Sequence, residues 1–248
     1  MSQNVISSPP ESNDLIDDAE RYWDSSSASA KVQDMSHWRG RGRWADDQLW
    51  QAWGKTNLDY FQSLLRLSNR NGAIQSMIEW GPGGGCNAIH FAKVAKQIIG
   101  GDISRANLQE CERQLAANGF NDFLPIEIDA GYPQAVLKNV AQPVDFFLST
   151  AVFQHFPSQL YGRHIVEIAY KLLADDGIAL IQTRYDDGTD TFKSKSDDYQ
   201  NNVGTFTSYR IEEFWQLASE AGFEPLAVKL LQPTRYAYYL LSKSKVQK

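Results

Sequence analysis

From residue 73 onward the chain alternates short apolar runs with segments of helical periodicity, and this alternation restricts the fold more than any other feature. The runs are 73–80 (AIQSMIEW), 94–100, 123–128, 144–149 and 177–183. Between them lie helical stretches at 87–94, at 104–118 and at 158–173. The second carries Leu108, Cys111, Leu115 and Ala116; the third carries Leu160, His164, Ile165, Ile168, Ala169 and Leu172 on one stripe. Strands joined by single helices run parallel, and right-handed crossovers place the helices on both faces of the sheet. The end of the chain breaks this rhythm. A helix over 209–221, with Phe214, Leu217 and Ala218 on one face and Gly222 as its cap, precedes two strand-like runs, 223–231 and 235–241. Only Gln232, Pro233 and Thr234 separate these runs. That is too short for a crossover helix, so the two pair antiparallel. The expectation is an α/β domain whose parallel sheet closes in an antiparallel hairpin, with no internal repeat.

Composition narrows the class. In 248 residues, 42% are hydrophobic and 22% charged, enough for a full core. The net charge of −6 gives no general reason to bind nucleic acid. No apolar run approaches the roughly 18 residues of a membrane span, and the first residues lack a signal-peptide pattern. The expected setting is therefore cytoplasmic, with no membrane partner. Two cysteines, Cys86 and Cys111, and 4 histidines argue against a disulfide framework or a protein-held metal.

The front of the chain reads as residues 1–70 serving the same domain as the core, 71–248. Residues 1–18 are polar and read as a mobile arm. Over 20–47, Tyr22, Trp23, Trp38 and Trp44 alternate with Arg39, Arg41 and Arg43. That pattern suits a lid or gate over a pocket, a packed surface segment or, on the weak signal of RGRGR, an RNA-binding patch. The stretch 31–70 has a local excess of positive charge that would draw an anionic acceptor. A helix over 46–67, capped by Asp46 or Asp47, carries Leu49, Trp53, Tyr60, Phe61, Leu64 and Leu65 toward the sheet.

The sharpest motif directly follows the first run: Glu79-Trp80-Gly81-Pro82-Gly83-Gly84-Gly85-Cys86. Glycines let a backbone approach a ligand without Cβ interference. Asp102 ends the second run about 20 residues beyond the turn, where an acid accepts both hydroxyls of a ribose. A ribose-bearing cofactor follows. In a dinucleotide fingerprint the third glycine would stand where Cys86 stands, and Glu79 would repel a pyrophosphate. An acid there better suits a cofactor with a cationic part, which favours S-adenosylmethionine (SAM) over NAD.

With EWGPGGG after the first strand, GGDIS at the second, Ile128-Asp129-Ala130 after the third and LSTAVFQHFP after the fourth, the sequence resembles the class I, Rossmann-like SAM-dependent methyltransferases, in particular their small-molecule branch. The helix–Gly–strand–strand ending is also similar, and the resemblance covers about residues 73–243. It implies a three-layer sandwich with strand order 3-2-1-4-5-7-6, the seventh strand antiparallel, beneath an N-terminal helical lid. It further implies that Glu79, Gly81, Gly83 and Gly85 surround the methionine portion of SAM, that Asp102 holds the ribose and that Ile103 packs on adenine. Asp129 would accept from the adenine amino group, the Ala130 amide would meet a ring nitrogen, Ser149 would line the methionine side and Tyr22 would close over the cofactor.

His155, just past the fourth strand, is either a general base or a loop anchor bonded to backbone. Trp38 and Arg43 from the lid region, Phe153 beside His155, and Arg184, Tyr185 and Tyr209 around the polar stretch after the fifth strand are the acceptor-binding candidates. Tyr199 and Phe206 are further pocket walls. The absence of an Asn-Pro-Pro-Tyr element after the fourth strand argues against adenine-N6 and glutamine methylation. The expected function is methyl transfer from SAM to an oxygen, with nitrogen second, of a small metabolite by a monomer or homodimer. The alternatives are a peptide or protein acceptor, an NAD(P)-linked oxidoreductase and a non-catalytic SAM-binding partner.

Overall fold

The computed structural model describes residues 13–24, 29–67 and 74–244. Seven strands form one sheet: β1 (Ile74–Trp80), β2 (Ala95–Asp102), β3 (Phe123–Glu127), β4 (Val144–Ser149), β5 (Leu173–Arg184), β6 (Glu224–Leu231) and β7 (Tyr236–Ser242). Their order is β3-β2-β1-β4-β5-β7-β6. The first five run parallel, and β7 pairs antiparallel with both β5 and β6. The order, the crossovers and the closing hairpin agree with the expectation. The fifth strand starts earlier than its apolar run, at Leu173, which pairs with Val144 before a register shift.

The α-helices among the described residues are α1 (Asn13–Asp24), α2 (Ala30–Met35), α3 (Asp47–Leu67), α4 (Ala88–Phe91), α5 (Arg105–Ala117), α6 (Val136–Asn139), α7 (Gln159–Leu172), α8 (Tyr199–Asn202) and α9 (Ile211–Glu220). Side-chain oxygens start four of them. Ser29 accepts from the Val32 amide, Ser104 from Asn107, and Ser158 from Leu160 and Tyr161. Asp46 accepts from the Gln48 and Leu49 amides at the head of α3.

Two expectations for the front of the chain need correction. The arm assigned through residue 18 is helical from Asn13, because Ile16, Ala19 and Trp23 recur on one face and give α1 something to bury. Residues 1–12 of that arm lie outside the described residues. On α3 the stripe is rotated: Leu49 is exposed, whereas Trp50 is completely buried.

Alternate residues of the strands feed opposite faces of the sheet. Ile78, Phe147, Ala179 and Ile181 meet α7 and α9. Met77, Phe146, Leu148 and Leu180 meet α3, α4 and α5. Phe146 lies 4.3 Å from Phe61 and 5.6 Å from Phe91, ring centre to ring centre, so the packing helix and the sheet share one aromatic cluster. No helix among the described residues is long and apolar enough to cross a membrane.

Phe146→Ala leaves a cavity at the junction of α3, α4 and β4. It should lower stability by about 3–5 kcal/mol in urea denaturation, while Leu49→Ala should change it by less than about 0.5 kcal/mol.

Candidate functional site

A cavity opens at the carboxyl ends of β1, β2 and β4, about 820 Å³ with the solvent at its mouth included. Its floor is Trp80, Gly81 and Gly83 after β1, Gly101 to Ile103 at β2, and Thr150 to Val152 after β4. α1 covers it with Ile16, Ala19 and Trp23; Met35, Ser36 and His37 close a second side. This is where open α/β sheets bind ligands, because the chain diverges at the switch between outward- and inward-running crossovers.

Asp102 lies on the cavity wall. One carboxylate oxygen accepts from the Gly83 amide at 3.2 Å and the other from the Ser104 amide at 2.9 Å, with the Asn107 side-chain amide 3.3 Å away. Burial pushes its pKa up to about 6 against these hydrogen bonds. Trp38 does not line the cavity. Its indole N–H donates to Asn107 Oδ1 at 2.8 Å, so it steadies the amide that faces Asp102.

The glycines of the turn serve the protein's own packing as well as the cavity. A Cβ on Gly83 would sit 2.4 Å from the Ser36 carbonyl oxygen, and one on Gly84 would sit 2.7 Å from that of His37. The Gly84 amide donates to Ser36 O at 2.7 Å. Gly83 also has φ +52°, a backbone region that favours glycine.

Glu79 is wholly buried behind this turn and is not among the residues lining the cavity. The Asn87 side-chain N–H₂ donates to Glu79 Oε1 at 2.9 Å and to Thr150 Oγ at 2.8 Å. Asn57 on α3 donates to Asn87 Oδ1 at 2.7 Å and accepts from the Tyr238 hydroxyl at 2.9 Å. Burial raises the Glu79 pKa to about 8; the Asn87 bond opposes the rise and the Asp102 charge adds to it. Thr150 lines the cavity, whereas Ser149 is buried and donates to Trp80 O.

The remaining expected cofactor contacts divide. Ile103 and Ala130 line the cavity. Asp129 is not among the lining residues; its Oδ1 accepts from the Gly131 and Tyr132 amides and caps that turn. Tyr22 packs away from the cavity against Trp23 and Tyr199, and Trp23 takes the lining position. The Ala130 amide donates to the Glu20 carboxylate of α1 at 3.1 Å, a contact that sequence reasoning missed.

His155 lines the cavity. Its Nδ1 bonds Val203 O at 2.5 Å, which makes Nδ1 the protonated nitrogen and leaves the lone pair on Nε2, 3.2 Å from the Gln154 amide nitrogen. Burial lowers its pKa to about 4, against the Val203 bond. The Trp23 ring meets the imidazole edge-on at 4.9 Å, and the Tyr199 hydroxyl donates to His155 O while accepting from Trp23 Nε1.

The expected acceptor residues are mostly elsewhere. Phe153 and Tyr209 are core, packed on Phe214, and Tyr185 is buried with them. Arg184 donates to Thr234 O and the Tyr236 hydroxyl rather than pairing with Asp186 or Asp187; Asp187 pairs with Arg235 at 2.6 Å. Arg43 is exposed, sits over the Trp44 ring and lies 3.6 Å from Asp34. Of the walls expected after β5, Tyr199 lines the cavity and Phe206 supports it from behind at 4.9 Å. His37, within the 20–47 segment, lines the cavity with φ +58° and stacks on Trp53. The helical spacing of Ile16, Ala19 and Trp23 was the signal that would have brought α1 to the site.

A strand order with an antiparallel seventh strand, a glycine turn after β1 and a buried acid ending β2 on the cavity wall define the class I, Rossmann-like SAM-dependent methyltransferase architecture. A family model described as a methyltransferase domain matches residues 52–228, and the chain belongs to that family. Among solved structures it is similar to an S-adenosylmethionine-dependent methyltransferase from Clostridium acetobutylicum ATCC 824 (12% identity, TM-score 0.58, 75% of this chain and 90% of that one). It is also similar to the N-methyltransferase NodS from Bradyrhizobium japonicum WM9, solved with S-adenosyl-L-homocysteine (15%, TM-score 0.55, 75% and 86%). An O-methyltransferase family protein from Burkholderia thailandensis matches at 13% identity and TM-score 0.56 over 82% of this chain, which spans only 61% of that protein's length. No curated protein matches the sequence.

An acid whose folded pKa is raised costs stability as pH rises from its ordinary value to the raised one. For Glu79 that window runs from 4.5 to about 8. Glu79→Gln should therefore gain stability relative to the parent chain between pH 5 and pH 8, measured by urea denaturation at both pH values.

Proposed function

We propose that this methyltransferase uses SAM to methylate a small organic acceptor, on oxygen in preference to nitrogen. The observation that carries the reading is the Asp102 carboxylate, which faces the cavity at the end of β2 beside Gly81 and Gly83, two residues that bring no side chain to its floor. The cavity's apolar wall of Ile103 and Ile128 and the donor at Ala130 fit a nucleoside-bearing molecule. When bound, SAM supplies a methyl carbon already activated by a sulfonium.

The chain's own residues then align and desolvate the reactants. Asp102 accepts ribose hydroxyls, and Thr150 replaces Ser149 on the methionine side. Glu20 gives up the Ala130 amide when a nucleobase takes that donor. Glu79 acts from behind the turn, holding Asn87 and through it Thr150. His155 Nε2 receives the proton of an acceptor hydroxyl, with Nδ1–H fixed on Val203 O. The covered cavity favours a small acceptor over a peptide, which would need an open groove.

Calorimetric titration with S-adenosyl-L-homocysteine tests the reading against NAD; tight binding of NAD alone overturns it. Asp102 accepts from a ribose as a carboxylate, so affinity should hold above about pH 6 and fall as pH drops through that value. Asp102→Ala should weaken binding about 10–100-fold, the worth of hydrogen bonds to a charged group. His155→Ala should lower kcat about 10²–10⁴-fold with S-adenosyl-L-homocysteine affinity retained.

A further inference from the structure

The cavity wall beyond Thr150 is made by Trp23, Met35, His37, Val152, His155 and Tyr199. Among the described residues lining the whole cavity, Asp102 is the only carboxylate, and none is a lysine or an arginine. The arginines expected to meet an anionic acceptor do not line the cavity: Arg184 bonds Thr234 O and Tyr236, and Arg43 lies beside Asp34, over Trp44 and behind Met35, although the charges of both reach His155 and that of Arg43 reaches His37. Both imidazoles are uncharged at neutral pH, since burial lowers His37 to about 3 and His155 to about 4.

Much of the hydrogen-bonding capacity of this wall is also taken up. The Tyr199 hydroxyl donates to His155 O and accepts from the Trp23 indole. His155 Nδ1 is committed to Val203 O. Thr150 Oγ accepts from Asn87, which leaves its own O–H free to donate. Thr150 O–H, the donor and acceptor nitrogens of the neutral His37 ring, and His155 Nε2, which faces the Gln154 amide at 3.2 Å, therefore remain in a setting of flat rings. A hydroxyl matches such neutral donors and acceptors, since it both donates and accepts.

Resting on the methyltransferase reading for its site, we infer that the acceptor end takes an uncharged, flat hydroxyaromatic ring. Its ring lies against the shared face of Trp23, His155 and Tyr199, and its hydroxyl takes His155 Nε2 from the Gln154 amide and accepts from Thr150. A carboxylate or ammonium on the acceptor would be stripped of water here without a countercharge, which costs far more than burying a ring.

The test uses three ligands of one ring system on the full chain, by calorimetry, with and without S-adenosyl-L-homocysteine: 2-naphthol, 2-naphthoate and 2-naphthylmethylammonium. The expected result is 2-naphthol binding at least about tenfold tighter than either charged ligand, because each charge loses its hydration on entry. Trp23→Ala should weaken 2-naphthol by a similar factor, and Arg43→Ala should leave the ranking unchanged. Equal or weaker binding of 2-naphthol, no binding included, overturns the inference, as does a preference for 2-naphthoate that Arg43→Ala removes. Failure to bind S-adenosyl-L-homocysteine counts separately against the cofactor reading; the ranking on the free protein still decides the acceptor class.

Discussion

The side-chain amide of Asn87 is the joint on which the site depends. A carboxyl group on the central strand of a parallel sheet is surrounded by apolar side chains, and leaving it without a partner costs more than a typical hydrogen bond returns. Asn87 meets that need at one Glu79 oxygen and in the same stroke holds Thr150, while Asn57 and Tyr238 hold Asn87. Four separated parts of the chain are thereby fixed relative to one another: the packing helix, the central strand, the residue after β4 and the last strand. The floor of the cavity inherits its geometry from a polar ladder that lies outside it.

Much of this was legible in the sequence, and what was not shares a physical cause. The strand order and closing hairpin followed from run lengths and the three residues between the last two strands, because connection length limits topology. Asp102 was legible because the end of β2 fixes where its side chain goes. Side-chain direction elsewhere was not. Tyr22 and Trp23 differ by one residue, yet one helical step turns the side chain by about 100°. Ser149 and Thr150 differ by one strand step, which reverses the face. A motif locates a position along the chain, and neighbours compete for the inward direction. The same competition sent Phe153, Tyr185 and Tyr209 into the core, where large aromatic surfaces gain most from burial.

The lid shows how a polar segment conceals an ordered element. Residues 13–18 are rich in acids and read as part of a mobile arm, yet three apolar side chains at helical spacing, Ile16, Ala19 and Trp23, are enough to seat α1 over the cavity. Its Glu20 takes a backbone donor on the rim. A carboxylate and any ligand atom that needs the same N–H exclude each other there, so the position of α1 and occupancy of that rim are linked.

The turn after β1 bears on how this protein is dissected by mutation. Because Ser36 and His37 press their carbonyls against Gly83 and Gly84, a side chain added at either glycine collides first with the protein's own backbone. A glycine variant that loses the cofactor has therefore lost the docking of the lid region as well, and the two losses cannot be read apart. The glycines, which look like the most ligand-specific letters in the sequence, are the least informative places to probe a ligand. The carboxylate that follows them on β2 is the better one.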